Sequence, residues 1–129
     1  MEQKNLHIVI ADRNSNVSEL LRREFAGMGY RVSVSRDCNQ IIGMLLGKDR
    51  PDLLILDPEL TCPDNRSVMV HLVRDAPRLP VILHAFEPET LPGPLVWAAE
   101  AVVEKGADPE RLKKTVDRIF RRLNPDSFA

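Results

Sequence analysis

Cysteine is scarce: the 129 residues hold two, Cys38 and Cys62. Two thiols in a chain of this length make no disulfide framework, and a reducing compartment is the reading that follows. No apolar run is long enough to span a bilayer and no signal-like leader is present, so no membrane contact is expected and a cytoplasmic location is. Charge of one sign is lacking too. A formal net charge of -1 gives no global pull toward nucleic acid or an anionic surface. The basic residues of the last amphipathic segment, Arg111, Lys113, Lys114, Arg118, Arg121 and Arg122, read as its wet face, so no nucleic-acid contact is expected. Glycine is missing from "ADRNSNVS" after the first apolar run and no P-loop occurs, which removes nucleotide sites built on glycine loops. His7, His71 and His84 stand in separate segments without ligand spacing, and no Ser-His-Asp arrangement emerges. Repeats, low-complexity tracts and interior linkers are absent. "MEQKN" and "NPDSFA" are the loose ends, and 1–129 reads as one domain able to bury a core.

What the chain does have is alternation. "LHIVIA" (6–11), "RVSVS" (31–35), "DLLIL" (52–56), "PVILHA" (80–85) and "AVVE" (101–104) read as strands. The first, third and fourth are nearly continuous in hydrophobicity, as strands covered on both faces should be, while 31–35 alternates like a sheet edge. Helical spacing fills the gaps. Val17, Leu20, Leu21, Phe25 and Met28 share a face that Gly29 ends. Ile41, Ile42, Leu45 and Leu46 follow Asp37, which with Gln40 has capping-box spacing. Met69, Leu72, Val73 and Ala76 form a stripe opened by Asp64, and Leu112, Val116, Ile119, Phe120 and Leu123 another, opened by Asp108 and Pro109. The fourth connection holds Pro88, Pro92, Gly93 and Pro94, so its helix should be short or irregular. The order is β-α five times: an α/β, doubly wound, five-stranded parallel sheet.

In such sheets ligands bind beyond the carboxyl ends of the strands. Asp12 ends the first strand, Asp57 the third and Lys105 the fifth. In a flavodoxin-like (βα)5 order, 2-1-3-4-5, these three would converge in one shallow pocket. Two carboxylates so close repel unless a cation lies between them, and Mg2+ is a usual solution. A facing lysine can pair with a carboxylate or with an incoming phosphoryl group.

"IVIADRN", "PDLLILDPEL" and "VVEKGADPERL", with "RLPVILHA" between them, give the chain its resemblance to the receiver domain of bacterial two-component response regulators. The resemblance spans essentially the whole sequence. It implies phosphorelay signal transduction, with Asp57 accepting a phosphoryl group from a histidine kinase or phosphotransfer protein and Lys105 contacting the phosphate. It also implies Mg2+ held by Asp12, Asp57 and the backbone carbonyl of Glu59. Output would pass through protein contacts, to a downstream partner or a second copy across residues 88–123, and the chain would not be an enzyme in the turnover sense. No output domain follows the fifth helix, so the expectation is a module that acts alone or as part of a longer regulator.

Several family positions depart from the pattern. Arg13 replaces the second acid of the pair after the first strand, and a guanidinium has no lone pair to offer a metal. It either turns inward to Asp57 in the metal's stead or snorkels to solvent. Ala85 stands where the family has a phosphate-binding hydroxyl, Phe86 where it has a small residue, and Val102 where it has a switch aromatic. In "DPELTCPDN", Thr61 replaces the loop proline and Asn65 the glycine, a position asparagine tolerates. Glu59 is either a solvated loop acid or a substitute carboxylate. Trp97, with Leu91, Leu95 and Val96, is read as core, with a partner surface as the alternative. The departures keep a second function in view, a degenerate receiver that binds partners without phosphorylation.

Overall fold

The computed structural model describes residues 6–106 and 108–128. The five apolar runs become strands β1 (His7–Ala11), β2 (Arg31–Ser35), β3 (Leu53–Leu56), β4 (Val81–Ala85) and β5 (Ala101–Glu104). They pair in parallel in the order β2-β1-β3-β4-β5, as expected for a flavodoxin-like sheet. Five helices connect and close them: α1 (Ser15–Gly27), α2 (Cys38–Leu46), α3 (Val68–Asp75), α4 (Gly93–Ala98) and α5 (Glu110–Leu123).

Continuous hydrophobicity in β1, β3 and β4 has a simple cause: both faces of the sheet are covered. Side chains alternate across a strand, so Ile8, Ile10, Leu53, Ile55 and Ile82 join Leu21, Phe25, Val116, Ile119 and Phe120 in one core layer beneath α1 and α5. Their neighbours Val9, Leu54, Leu56, Val81 and Leu83 join Ile41, Leu45, Val68, Met69 and Leu72 in the other layer, beneath α2 and α3. Burial of each large side chain contributes roughly 1.5–3 kcal/mol.

The helix ends follow local chemistry. The Asn14 side chain accepts from the amides of Asn16 and Val17 at the start of α1, and Gly29 takes the left-handed conformation that ends that segment, with φ 97. Asp37 caps α2 through the Gln40 amide. Gln40 does not complete a capping box, because its side chain accepts from the Ser35 hydroxyl instead. Ser67, not Asp64, caps α3; Asp64 accepts from the Arg66 amide within the preceding turn.

Other expectations need correction. "NPDSFA" is not loose: residues 125–128 form a 3-10 turn that returns Phe128 to the core, under the Arg121 guanidinium. "MEQKN" lies outside the described residues. Trp97 is 83% exposed rather than buried, because α4 is only six residues long and presents it outward. Val73 and Leu123, counted on core stripes, are also exposed. Cys38 and Cys62 are both buried and joined in a disulfide, with Cα atoms 5.1 Å apart. The parallel crossover brings the start of α2 beside the loop after β3, a proximity that no sequence spacing expresses.

Candidate functional site

The sheet ladder continues one residue past three strands, and those residues are the ionisable ones. Asp12 N donates to Ser35 O at 3.2 Å, Asp57 N to Ala11 O at 2.8 Å, and Lys105 N to Ala85 O at 2.7 Å. Backbone hydrogen bonds therefore aim Asp12, Asp57 and Lys105 at one point. All three are buried. Lys105 Nζ lies 2.9 Å from Asp12 Oδ2 and 3.7 Å from Asp57 Oδ2.

Arg13 turns inward. Its Nε donates to Asp57 Oδ2 at 2.8 Å and its Nη2 to Glu59 Oε2 at 2.8 Å. The guanidinium thus spans the mouth of the pocket, from a buried carboxylate to a solvated one, with its own side chain 49% exposed. Glu59 contributes through its side chain at the rim, not by adding a carboxylate inside.

Burial alone would push the Asp57 carboxyl up. The Arg13 side chain, the Glu59 amide, the Lys105 ammonium and the Arg13 amide outweigh it and hold the group below the usual carboxylate range. Asp57 is an anion whose charge is fully answered by the protein.

That balance bears on metal binding in this arrangement. Asp12 Oδ1 accepts from Asn14 N at 2.8 Å, and its Oδ2 faces Lys105. Asp57 Oδ1 accepts from Glu59 N at 3.0 Å, and its Oδ2 faces Arg13 and Lys105. Every carboxylate oxygen of the expected Mg2+ set is already taken, and two cations stand within reach. With the guanidinium turned inward, the donors as arranged do not fit a divalent cation.

The other departures are in place as well. Ala85 is buried and presents a methyl group where a hydroxyl would be needed. Phe86 is exposed and lines the pocket with Asp12, Arg13, Asn14, Ser15, Asp57 and Lys105, its ring centroid 5.1 Å from Lys105 Nζ. Val102 sits in β5 opposite Leu83 and packs against the α2/α3 layer. Asn65 adopts φ 64, so the altered loop closes with asparagine in the left-handed position. His84, set aside in the sequence for want of ligand spacing, is buried beside this site, and its pKa is pushed down to about 4 by burial, with Lys105 adding to the effect. A histidine inside the apolar run "PVILHA" was the available signal.

No family model matches the chain. Response regulator MprA of Mycobacterium leprae is 28% identical over 127 residues, covering 96% of this chain and 55% of that protein. Response regulator MprA of Mycobacterium bovis is 27% identical over 128 residues, with 97% and 55% covered. The chain spans about half the length of the curated relatives it matches. Among solved structures, the receiver domain of the TMAO respiratory system response regulator TorR superposes with a TM-score of 0.77 at 22% identity, covering 92% of this chain and 99% of that one.

The fold is that of a response-regulator receiver domain. Thermotoga maritima TrrA, a response regulator solved in complex with Mg2+-BeF, superposes on it with a TM-score of 0.75 at 24% identity, covering 88% of this chain and 97% of that one. TrrA has also been solved in complex with the histidine kinase ThkA; that TrrA chain gives a TM-score of 0.74 at 23% identity and the same coverage. Among the described residues no helix is long and apolar enough to cross a membrane.

Proposed function

We propose that this chain is the receiver module of a phosphorelay, accepting a phosphoryl group on Asp57 and signalling through protein contacts. The observation that carries the reading is the convergence of Asp12, Asp57 and Lys105 at the carboxyl ends of three strands. A carboxylate oxygen of Asp57 attacks the phosphorus of a phosphohistidine on a kinase or phosphotransfer protein. The O–P bond forms, the N–P bond breaks, and the donor imidazole leaves and takes a proton from solvent. Phosphoryl transfer rests largely on positioning and charge neutralisation, and Lys105 supplies a buried ammonium for the arriving oxygens. Arg13 supplies a second cation once it lets go of Asp57. The donor is consumed mole for mole, so the module is not an enzyme in the turnover sense. A cytoplasmic location suits such a donor. We assign the downstream contact, with a partner or a second copy, to residues 88–123, where Trp97 is exposed.

A second reading is favoured by the Arg13–Asp57 pair and by Ala85: an interaction module that works without phosphorylation, its nucleophile clasped and its hydroxyl relay missing. Intact mass after incubation with acetyl phosphate, with and without Mg2+, separates the two. A gain of one phosphate that vanishes in Asp57→Asn supports the phosphoacceptor. Absence of an adduct under every condition, also in Arg13→Asp, overturns it in favour of the interaction module.

A further inference from the structure

The loop between β3 and α3 gathers a second set of donors, away from the strand tips and independent of Asp57. Cys62, Asp64 and His71 each offer one ligand atom, and these atoms lie within 4.8 Å of one another. Cys38 opens α2 and is bonded to Cys62, so reduction would free a second thiol beside the cluster.

The cluster has a built frame. Cys62 N donates to Arg66 O at 2.8 Å, Asn65 N donates to Cys62 O at 2.8 Å, and Thr61 bridges Ser67 beyond them. This closed turn fixes Cys62 and Asp64 relative to each other. The Ser67 cap then starts α3 and sets His71 on its first turn, above them. Asp64 Oδ1 is held by the Arg66 amide, which leaves Oδ2 facing His71. His71 Nε2 is buried, and its nearest acceptor is Asp64 Oδ2 at 3.2 Å. A neutral imidazole that faces a carboxylate at this distance offers a metal ion one nitrogen and one oxygen side by side.

We propose that reduction of the Cys38–Cys62 disulfide converts this cluster into a tetrahedral Zn2+ site with ligands Cys38 Sγ, Cys62 Sγ, Asp64 Oδ2 and His71 Nε2. A dithiol reductant supplies two electrons and two protons. The S–S bond breaks, two thiols form, and the reductant closes to its own disulfide. Zn2+ then displaces both thiol protons to solvent, leaving two thiolates, one carboxylate and a neutral imidazole around the ion. Thiolate and imidazole together select zinc over magnesium or calcium. Zn–S bonds near 2.3 Å and Zn–N or Zn–O bonds near 2.1 Å place tetrahedral donors roughly 3.3–3.8 Å apart. The 4.8 Å envelope of Cys62, Asp64 and His71 therefore has to contract, and the two sulfurs have to part after reduction, before the four donors reach these spacings. Disulfide and zinc are alternative ways of tying α2 to the β3–α3 loop, exchanged by redox conditions.

The test titrates the metal-free full chain anaerobically with Co2+ and then Zn2+, after reduction with a phosphine that leaves no competing thiol. Reduced protein should bind one equivalent of Co2+, with thiolate-to-cobalt charge-transfer absorption and the visible bands of a tetrahedral ion, both bleached by one equivalent of Zn2+. Oxidised protein should show neither. His71→Ala should weaken binding at least about tenfold. Asp64→Asn, a change at an exposed side chain that keeps both cysteines, should do the same with the fold intact by circular dichroism. Asp57→Asn should bind as the wild type does, so failure at the phosphoacceptor and failure here are distinguishable. Reduced protein without charge-transfer bands overturns the site, as do bands unaltered in both His71→Ala and Asp64→Asn.

Discussion

Replacing Arg13 by alanine removes a cation from the mouth of a pocket whose two buried carboxylates are then left with Lys105 alone. The size of the effect follows from the geometry. Two unit charges about 4 Å apart interact by roughly 4 kcal/mol at an effective dielectric near 20, which is a ceiling. Arg13 is half exposed, so solvent screening cuts the gain toward the value of about 0.2–1 kcal/mol seen for surface pairs. Asp57 is 2% exposed, which pulls the cost toward the 3–5 kcal/mol of an abandoned buried charge. It is not abandoned, because the Glu59 and Arg13 amides and Lys105 still face it. A loss of about 1–2 kcal/mol results, or a fall of roughly 3–8 °C in Tm for a domain of this size.

The same change alters ion binding. Counting Asp12, Asp57, Lys105 and Arg13, the pocket is neutral; Arg13→Ala makes it -1 and Arg13→Asp makes it -2 and adds a ligand oxygen. Calorimetric titration should therefore show Mg2+ affinity rising from wild type to alanine to aspartate, while thermal melts without Mg2+ show the opposite order of stability. Equal Mg2+ affinity in wild type and Arg13→Asp would refute the claim that the guanidinium occupies the pocket. A double-mutant cycle of Arg13→Ala with Asp57→Asn should return a coupling energy of about 1 kcal/mol; zero coupling would mean that the pair is not formed in solution.

Two further expectations concern stability. An unfolded histidine titrates near 6.5, whereas His84 is pushed down to about 4 in the fold, so in that window the unfolded chain binds a proton that the folded chain refuses. Stability is then lost as pH falls from 6.5 toward 4, by about 2 kcal/mol between pH 7.5 and pH 5; Asp57, held low, adds loss as pH falls through the ordinary carboxylate range. Urea unfolding of wild type and His84→Gln at both pH values checks this, and an identical pH dependence in the two would contradict it. Gly29→Ala, which forces a Cβ into φ 97, should cost about 1–2 kcal/mol in the same assay; a neutral result would show that the turn relaxes.

The sheet was legible because parallel strands covered on both faces write themselves as unbroken apolar runs, and β1, β3 and β4 did so. The positions of Asp12, Asp57 and Lys105 followed, since topology alone sends the carboxyl ends of those strands to one side. What stayed illegible depends on contacts between segments distant in sequence. Arg13 could point in or out, and it turns in to Asp57, with Glu59 closing the clasp from another loop. The Cys38–Cys62 bond joins residues 24 apart across a crossover. Trp97 was misread because prolines and glycine in the fourth connection erase the helical period that separates an inner face from an outer one. Phe128 returns to the core through a turn with no periodic signal at all.

The two cations of the pocket differ in a way that bears on how it can work. Lys105 is buried between Asp12 and Asp57, and moving it would strand two carboxylates in a low-dielectric site. Arg13 is tethered at the rim, half in solvent, with Glu59 ready to keep its charge paired when it leaves Asp57. Swinging the guanidinium outward therefore costs little desolvation, and the same motion uncovers Asp57 Oδ2. In the phosphoacceptor reading, an arriving phosphoryl group would bring negative charge into the space just vacated, where the guanidinium can meet it with two parallel N–H donors. A positive charge bound covalently to the chain cannot be diluted away as a metal ion can. With Arg13 closed, the charges of Asp12, Asp57, Lys105 and Arg13 cancel without a metal ion, and opening the pocket means breaking one half-exposed ion pair.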